Sequence, residues 1–126
     1  MEIDFICRHR GTRAVITDGT QSLRPAIARR LAREVAPAIV LAGRGAETGE
    51  PAAAEIRALG SECVFAQADI GEAGDCVRLM PTAIGTFPRV NALVNSATTA
   101  DCGTLVNNTL DLCRCRWIST CAAPCR

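Results

Sequence analysis

The stretch RAVITDGTQSLRPAIARRLA, residues 13–32, decides how this chain folds. Its first part, Ala14 to Thr17, is a short run apolar on both faces, as a covered parallel strand requires. A polar turn follows, and then Leu23, Ile27 and Leu31 recur at the spacing of one helix face. Working outward, the same unit repeats. Ala38 to Ala42, Cys63 to Ala68 and Ala92 to Asn95 read as further strands. Ala46 to Leu59 reads as a helix capped by Gly60. In a third helix Ala73, Val77, Met80, Ile84 and Phe87 form one apolar stripe that predicts packing on the core, with Pro81 expected to kink or interrupt it. Strands that alternate with helices imply an α/β fold built on a parallel sheet of about four strands flanked by helices.

The chain has 126 residues, of which 48% are apolar, enough for one domain. The net charge is +1 and the basic residues are scattered, so no basic stripe suited to nucleic acid is present. The first fifteen residues hold Arg8, Arg10 and Arg13 without an apolar run, and no segment approaches the roughly 20 apolar residues of a membrane span. These features predict a soluble, cytoplasmic protein with no membrane partner. All 14 basic residues are arginine, and tyrosine is absent. Chemistry that needs a phenol or a side-chain amine is therefore excluded for these residues. Eight cysteines are present, but a disulfide framework is not expected in a reducing compartment. Cys113, Cys115, Cys121 and Cys125 crowd beyond residue 112, which divides the chain into a unit of residues 1–112 and a Cys/Arg-rich tail of residues 113–126. The tail lacks the paired CxxC spacing of zinc sites, so no metal is expected. His9, the only histidine, reads as a surface residue.

The segment from Thr17 through Asp18, Gly19, Thr20, Gln21 and Ser22 to Arg24 stands where a dinucleotide-binding fold carries its glycine-rich turn. Together with Ala14 to Thr17 before it and Ala26 to Ala32 after it, this segment resembles the short-chain dehydrogenase/reductase family, whose loop reads TGxxxGxG. The resemblance covers residues 11–112 and implies a truncated Rossmann-like domain that retains Thr17 and Gly19 as cofactor contacts. Asp18, Ser22 and Arg24 stand where the family has its three glycines. A carboxylate beside the pyrophosphate, and side chains where backbone must approach, imply that NADP binding is weak or lost. Arg24 could instead swing out to a phosphate.

At the end of the second strand, Leu41, Ala42, Gly43 and Arg44 supply one Arg and no acid, which by resemblance favours NADP over NAD with Arg44 as the contact. The plain alternative is a solvated arginine. Asp69 looks like the family's acid that meets the adenine, or an ordinary cap of the helix that follows. Val94, Asn95, Ser96, Ala97 and Thr98 resemble the family's NNAG motif. There Asn95 would steady the sheet and Ala97 would let the cofactor approach, while Thr98 replaces the glycine.

The family's catalysis uses a Ser, a Tyr and a Lys in the later half, so no catalytic residue is assigned here. The resemblance implies an NAD(P)-dependent oxidoreductase fragment that is inactive alone. Two alternatives stay open: a non-catalytic nucleotide-binding or interaction module, and an unproductive frameshifted fragment. The second rests on the Arg- and Cys-rich tail of a Lys-free chain, because a frame shifted within Arg116 can read Trp117 to Cys125 as LDFHVRGPL, similar to the family's next helix. With no further strand beside it, Ala92 to Asn95 would be an apolar edge, and self-association is expected.

Overall fold

The computed structural model describes residues 7–17 and 23–96. They form β1 (Arg13–Thr17), α1 (Leu23–Arg33), β2 (Ala38–Gly43), α2 (Ala46–Ala58), β3 (Glu62–Gln67), α3 (Ala73–Thr86) and β4 (Ala92–Val94). The strands make one parallel sheet in the order β3-β2-β1-β4. The chain thus steps from β1 to β3 in one direction and then returns to place β4 on the far side of β1. In a doubly wound sheet such a reversal opens a crevice at the carboxyl ends of the two flanking strands.

Successive strand side chains point to opposite faces, and each face is covered by different helices. Ala14, Ile16, Ile39, Leu41 and Cys63 pack with Ala28, Leu31 and Ala32 of α1 and with Ala53 and Ile56 of α2. On the other face Val15, Ala38, Val40 and Ala42 pack with Ile70 and with Leu79, Ala83 and Phe87 from α3 and its end. Arg29 joins the first two helices by a two-pronged ion pair with Glu55, at 2.6 and 2.9 Å. The approach of α2 to β3 requires glycine at Gly49, where a Cβ would land inside the Phe65 ring.

At the end of α1, the Ala36 N–H reaches the Leu31 carbonyl and the Val35 N–H reaches that of Ala32. These are the paired bonds of a Schellman cap, and they place Val35 in the left-handed region with φ 65°. Gly60, at φ 99°, follows the C-cap of α2 as expected.

Three expectations are corrected. First, the stripe of Ala73, Val77, Met80, Ile84 and Phe87 is buried only in part: Phe87 and Met80 pack on the core, while Ala73 is exposed. Val77 is 68% and Ile84 53% exposed, whereas Leu79 and Ala83 are buried. The Asp75 carboxylate accepts the Asp69 N–H at 2.8 Å, which turns Asp75 inward. Leu79 and Ala83 follow it at i+4 and i+8 on the same side. Second, Pro81 leaves α3 unbroken. It lies on the exposed side, and its missing donor corresponds to the carbonyl of exposed Val77, which water can reach. Third, His9 is not a bare surface histidine. Its Nδ1 lies 3.2 Å from the Thr12 hydroxyl and its Nε2 3.6 Å from the carboxylate of buried Glu34, which also accepts from Arg30 at 2.5 Å. Burial of that carboxylate demands such partners. At the strand ends, β4 stops at Val94 instead of Asn95, and β3 runs from Glu62 to Gln67.

Candidate functional site

All four strands are parallel, so their carboxyl ends meet at one edge of the sheet, where Thr17, Arg44, Asp69 and Asn95 all lie. Gly19 and Ala97 lie outside the described residues, as do Asp18, Ser22 and the tail of residues 113–126.

Thr17 closes β1 with its side chain buried. Its hydroxyl donates to Asn95 Oδ1 at 3.2 Å, with the Val94 carbonyl at 3.4 Å, and accepts the Ser96 N–H at 3.1 Å. One hydroxyl therefore ties the turn after β4 to the end of β1. This bond joins β1 and the end of β4 at the point where the strand order reverses.

Arg44 and Asp69 lie on the other side of β1, beyond β2 and β3. With Gln67 and Asp75 they line an open pocket of about 430 Å³, within the size range of small-molecule and cofactor sites. Arg44 is exposed, and its guanidinium makes no hydrogen bond or ion pair among the described residues. Asp75 already pairs with Arg78. The carboxylate of Asp75 beside Arg44 is thus partly neutralised from within the protein. Asp69 is not the N-cap of α3, a position held by Glu72. Instead one Asp69 carboxylate oxygen accepts the Gly71 N–H at 2.9 Å and shapes the turn before the helix.

Cys76, next to Asp75, is not a nucleophile poised at this edge. Burial raises its pKa, with the Asp75 and Asp69 charges adding to the effect, and the thiol donates to the Ile70 carbonyl at 3.3 Å. Gln67 and Asp75 were not among the residues singled out from sequence. Asp75 shows no motif in the sequence, and Gln67 enters the pocket because it ends β3 in register with Gly43.

A sequence model of the family described as short chain dehydrogenase matches residues 12–122. The human 3-hydroxyacyl-CoA dehydrogenase type-2 is 38% identical over 94 residues, which are 72% of this chain and 34% of that protein. A short chain dehydrogenase from Burkholderia cenocepacia, solved in complex with NADP, superposes with a TM-score of 0.81 at 29% identity, covering 92% of this chain and 47% of that one. A short-chain dehydrogenase/reductase from Serratia marcescens superposes with the same TM-score of 0.81 at 22% identity over 91% of this chain and 47% of its own. The chain spans about a third of the length of the curated relatives it matches, and about half that of the solved structures. With a family match over most of its length and the parallel sheet of the amino-terminal half of these proteins, the chain belongs to the short-chain dehydrogenase/reductase family.

Proposed function

We propose that this chain binds a nicotinamide dinucleotide along the carboxyl edge of its sheet, prefers NADP to NAD, and performs no dehydrogenase turnover by itself. The observation that carries the reading is the meeting of an unpaired Arg44 and Asp69 on one pocket, at the same edge of the sheet as the bonded Thr17 and Asn95. A guanidinium suits the extra 2′-phosphate of NADP, where an acid would suit the bare ribose of NAD. Asp69 has one carboxylate oxygen engaged in the turn, and the other is available to the adenine. Thr17 and Gly19 would border the pyrophosphate, with Asn95 and Ala97 on the far side of the crevice. Support for the cofactor class comes from the relative at 29% identity whose structure holds NADP. When bound, the dinucleotide supplies the group that accepts or gives up hydride.

The residues of this chain hold the cofactor but do not move the substrate's proton. The family's acid is a tyrosine tuned by a lysine, and this chain has neither. Binding is assigned to residues 1–112. Asp18, Ser22 and Arg24 weaken the phosphate turn. Titration of the purified chain with NADP+ and NAD+ tests the reading. NADP+ is expected to bind more tightly, and Asp18→Gly combined with Ser22→Gly and Arg24→Gly is expected to gain about tenfold, roughly 1.4 kcal/mol. Equal affinity for the two dinucleotides, unchanged affinity in the triple variant, or cofactor-dependent turnover that survives rigorous purification would overturn it.

A further inference from the structure

The turn that presents Arg44 is Gly43-Arg44-Gly45, with a glycine on each side of the arginine. Glycine torsions are weakly restricted, so the turn by itself does little to aim the side chain. Other groups must hold it. On the helix side, Gly45 is the extended N-cap of α2, and its carbonyl accepts the Gly49 N–H at 2.9 Å and the Thr48 hydroxyl at 3.2 Å. The sheet ladder ends where the Ala68 N–H meets the Gly43 carbonyl at 2.9 Å. Between these anchors lies the Arg44–Gly45 peptide, and neither of them fixes its rotation.

That peptide is held from β3. Gln67 is the last paired residue of its strand, opposite Gly43, and its side-chain amide donates to the Arg44 carbonyl at 2.9 Å. The bond joins residues 23 apart in the chain and ties the tip of one strand-to-helix turn to the end of the neighbouring strand. An uncharged amide offers little attraction of its own to a phosphate dianion compared with a guanidinium. Its effect on that phosphate passes through the peptide whose direction sets where the Arg44 side chain starts.

We propose that Gln67 is a positioning residue for recognition of the nucleotide 2′-phosphate. It holds the Arg44 peptide so that the guanidinium is directed over the pocket shared by Arg44, Gln67, Asp69 and Asp75. The inference rests on the NADP reading of that pocket and adds the residue that sets the NADP-to-NAD ratio without carrying charge.

The test compares the intact chain with Arg44→Ala, Gln67→Leu and the double variant, measuring dissociation constants for NADP+ and for NAD+ by calorimetry. Gln67 is exposed, and leucine keeps its bulk while removing the donor. Gln67→Met, uncharged and without a donor, serves as a second variant. Gln67→Leu is expected to weaken NADP+ binding by about three- to tenfold, the range of one net hydrogen bond, and to leave NAD+ within about twofold. The double variant is expected to bind NADP+ no more weakly than Arg44→Ala alone, because Gln67 acts only through Arg44. Equal weakening of both nucleotides, or losses that add in the double variant, would show a general structural role and overturn the proposal. If Arg44→Ala leaves NADP+ affinity unchanged, the reading of the pocket fails and the inference with it. If Arg44→Ala weakens NADP+ while both Gln67 variants do not, the inference alone fails.

Discussion

At the scale of single residues, the energetic exceptions lie away from the carboxyl edge of the sheet. Val35 holds the left-handed position of the α1 cap, which costs an L-residue roughly 1–2 kcal/mol. Glycine there also lowers the cost of the turn, partly offset by its greater freedom in the unfolded chain. Val35→Gly is therefore expected to stabilise the fold by about 0.5–1 kcal/mol, read as a higher urea midpoint. A lower midpoint would mean that the packing of Val35 outweighs its strain. Cys63 is buried on the face under α2, and burial pushes its thiol up to about 12. In the unfolded chain an ordinary thiol ionises near 8.5–9. Between those values the unfolded state binds fewer protons than the folded one, so stability is full below about pH 8.5 and falls as pH rises, by at most about 1.4 kcal/mol per unit. The loss is expected in urea midpoints measured from pH 8 to 10.5. It should shrink in Cys63→Val, with a remainder from Cys76, whose thiol burial also raises.

The element that departs most from its sequence pattern is α3. Two apolar lines run along it: Ala73, Val77, Met80 and Ile84, and Cys76, Leu79, Met80 and Ala83. Periodicity cannot choose between them, since both are spaced for a helix. The choice falls to the second because Asp75 binds the Asp69 backbone and because small Ala83 lets the helix sit close over Ala38, Val40 and Ala42. Replacing Leu79 by alanine is therefore expected to cost about 2–4 kcal/mol. Val77→Gln and Ile84→Gln should stay within about 0.5 kcal/mol. Thermal unfolding of the three variants gives the comparison, and a large loss from the two glutamine variants would show that the outer line is buried after all.

For the described residues taken together, the consequence of the strand order is an open edge at β4. Among the described residues β4 pairs with β1 on one side and with no strand on the other, and Leu93 at its centre is 42% exposed. Unpaired backbone next to apolar side chains invites pairing with a second chain. Sedimentation velocity is expected to show self-association that grows with concentration and recedes in Leu93→Lys, which places a charge on that edge. A monodisperse monomer at high concentration would contradict this expectation. No helix among the described residues is long and apolar enough to cross a membrane.

Local pattern sufficed for the strands, the helices, the parallel α/β class and the family, and it put Thr17, Arg44, Asp69 and Asn95 at strand ends. The elements and the class follow from period and punctuation over a few neighbouring residues, whereas the family follows from the resemblance of residues 13–32 and 94–98 to its motifs. Parallel pairing alone then brings every strand end to one edge. Other features needed the folded molecule: the inward face of α3, the Gly49 contact with Phe65, the His9–Glu34–Arg30 group and the bond from Gln67 to the Arg44 peptide. Each depends on which residue of one element stands opposite which residue of another. That register is set by packing between segments far apart in the chain, where no local periodicity reaches.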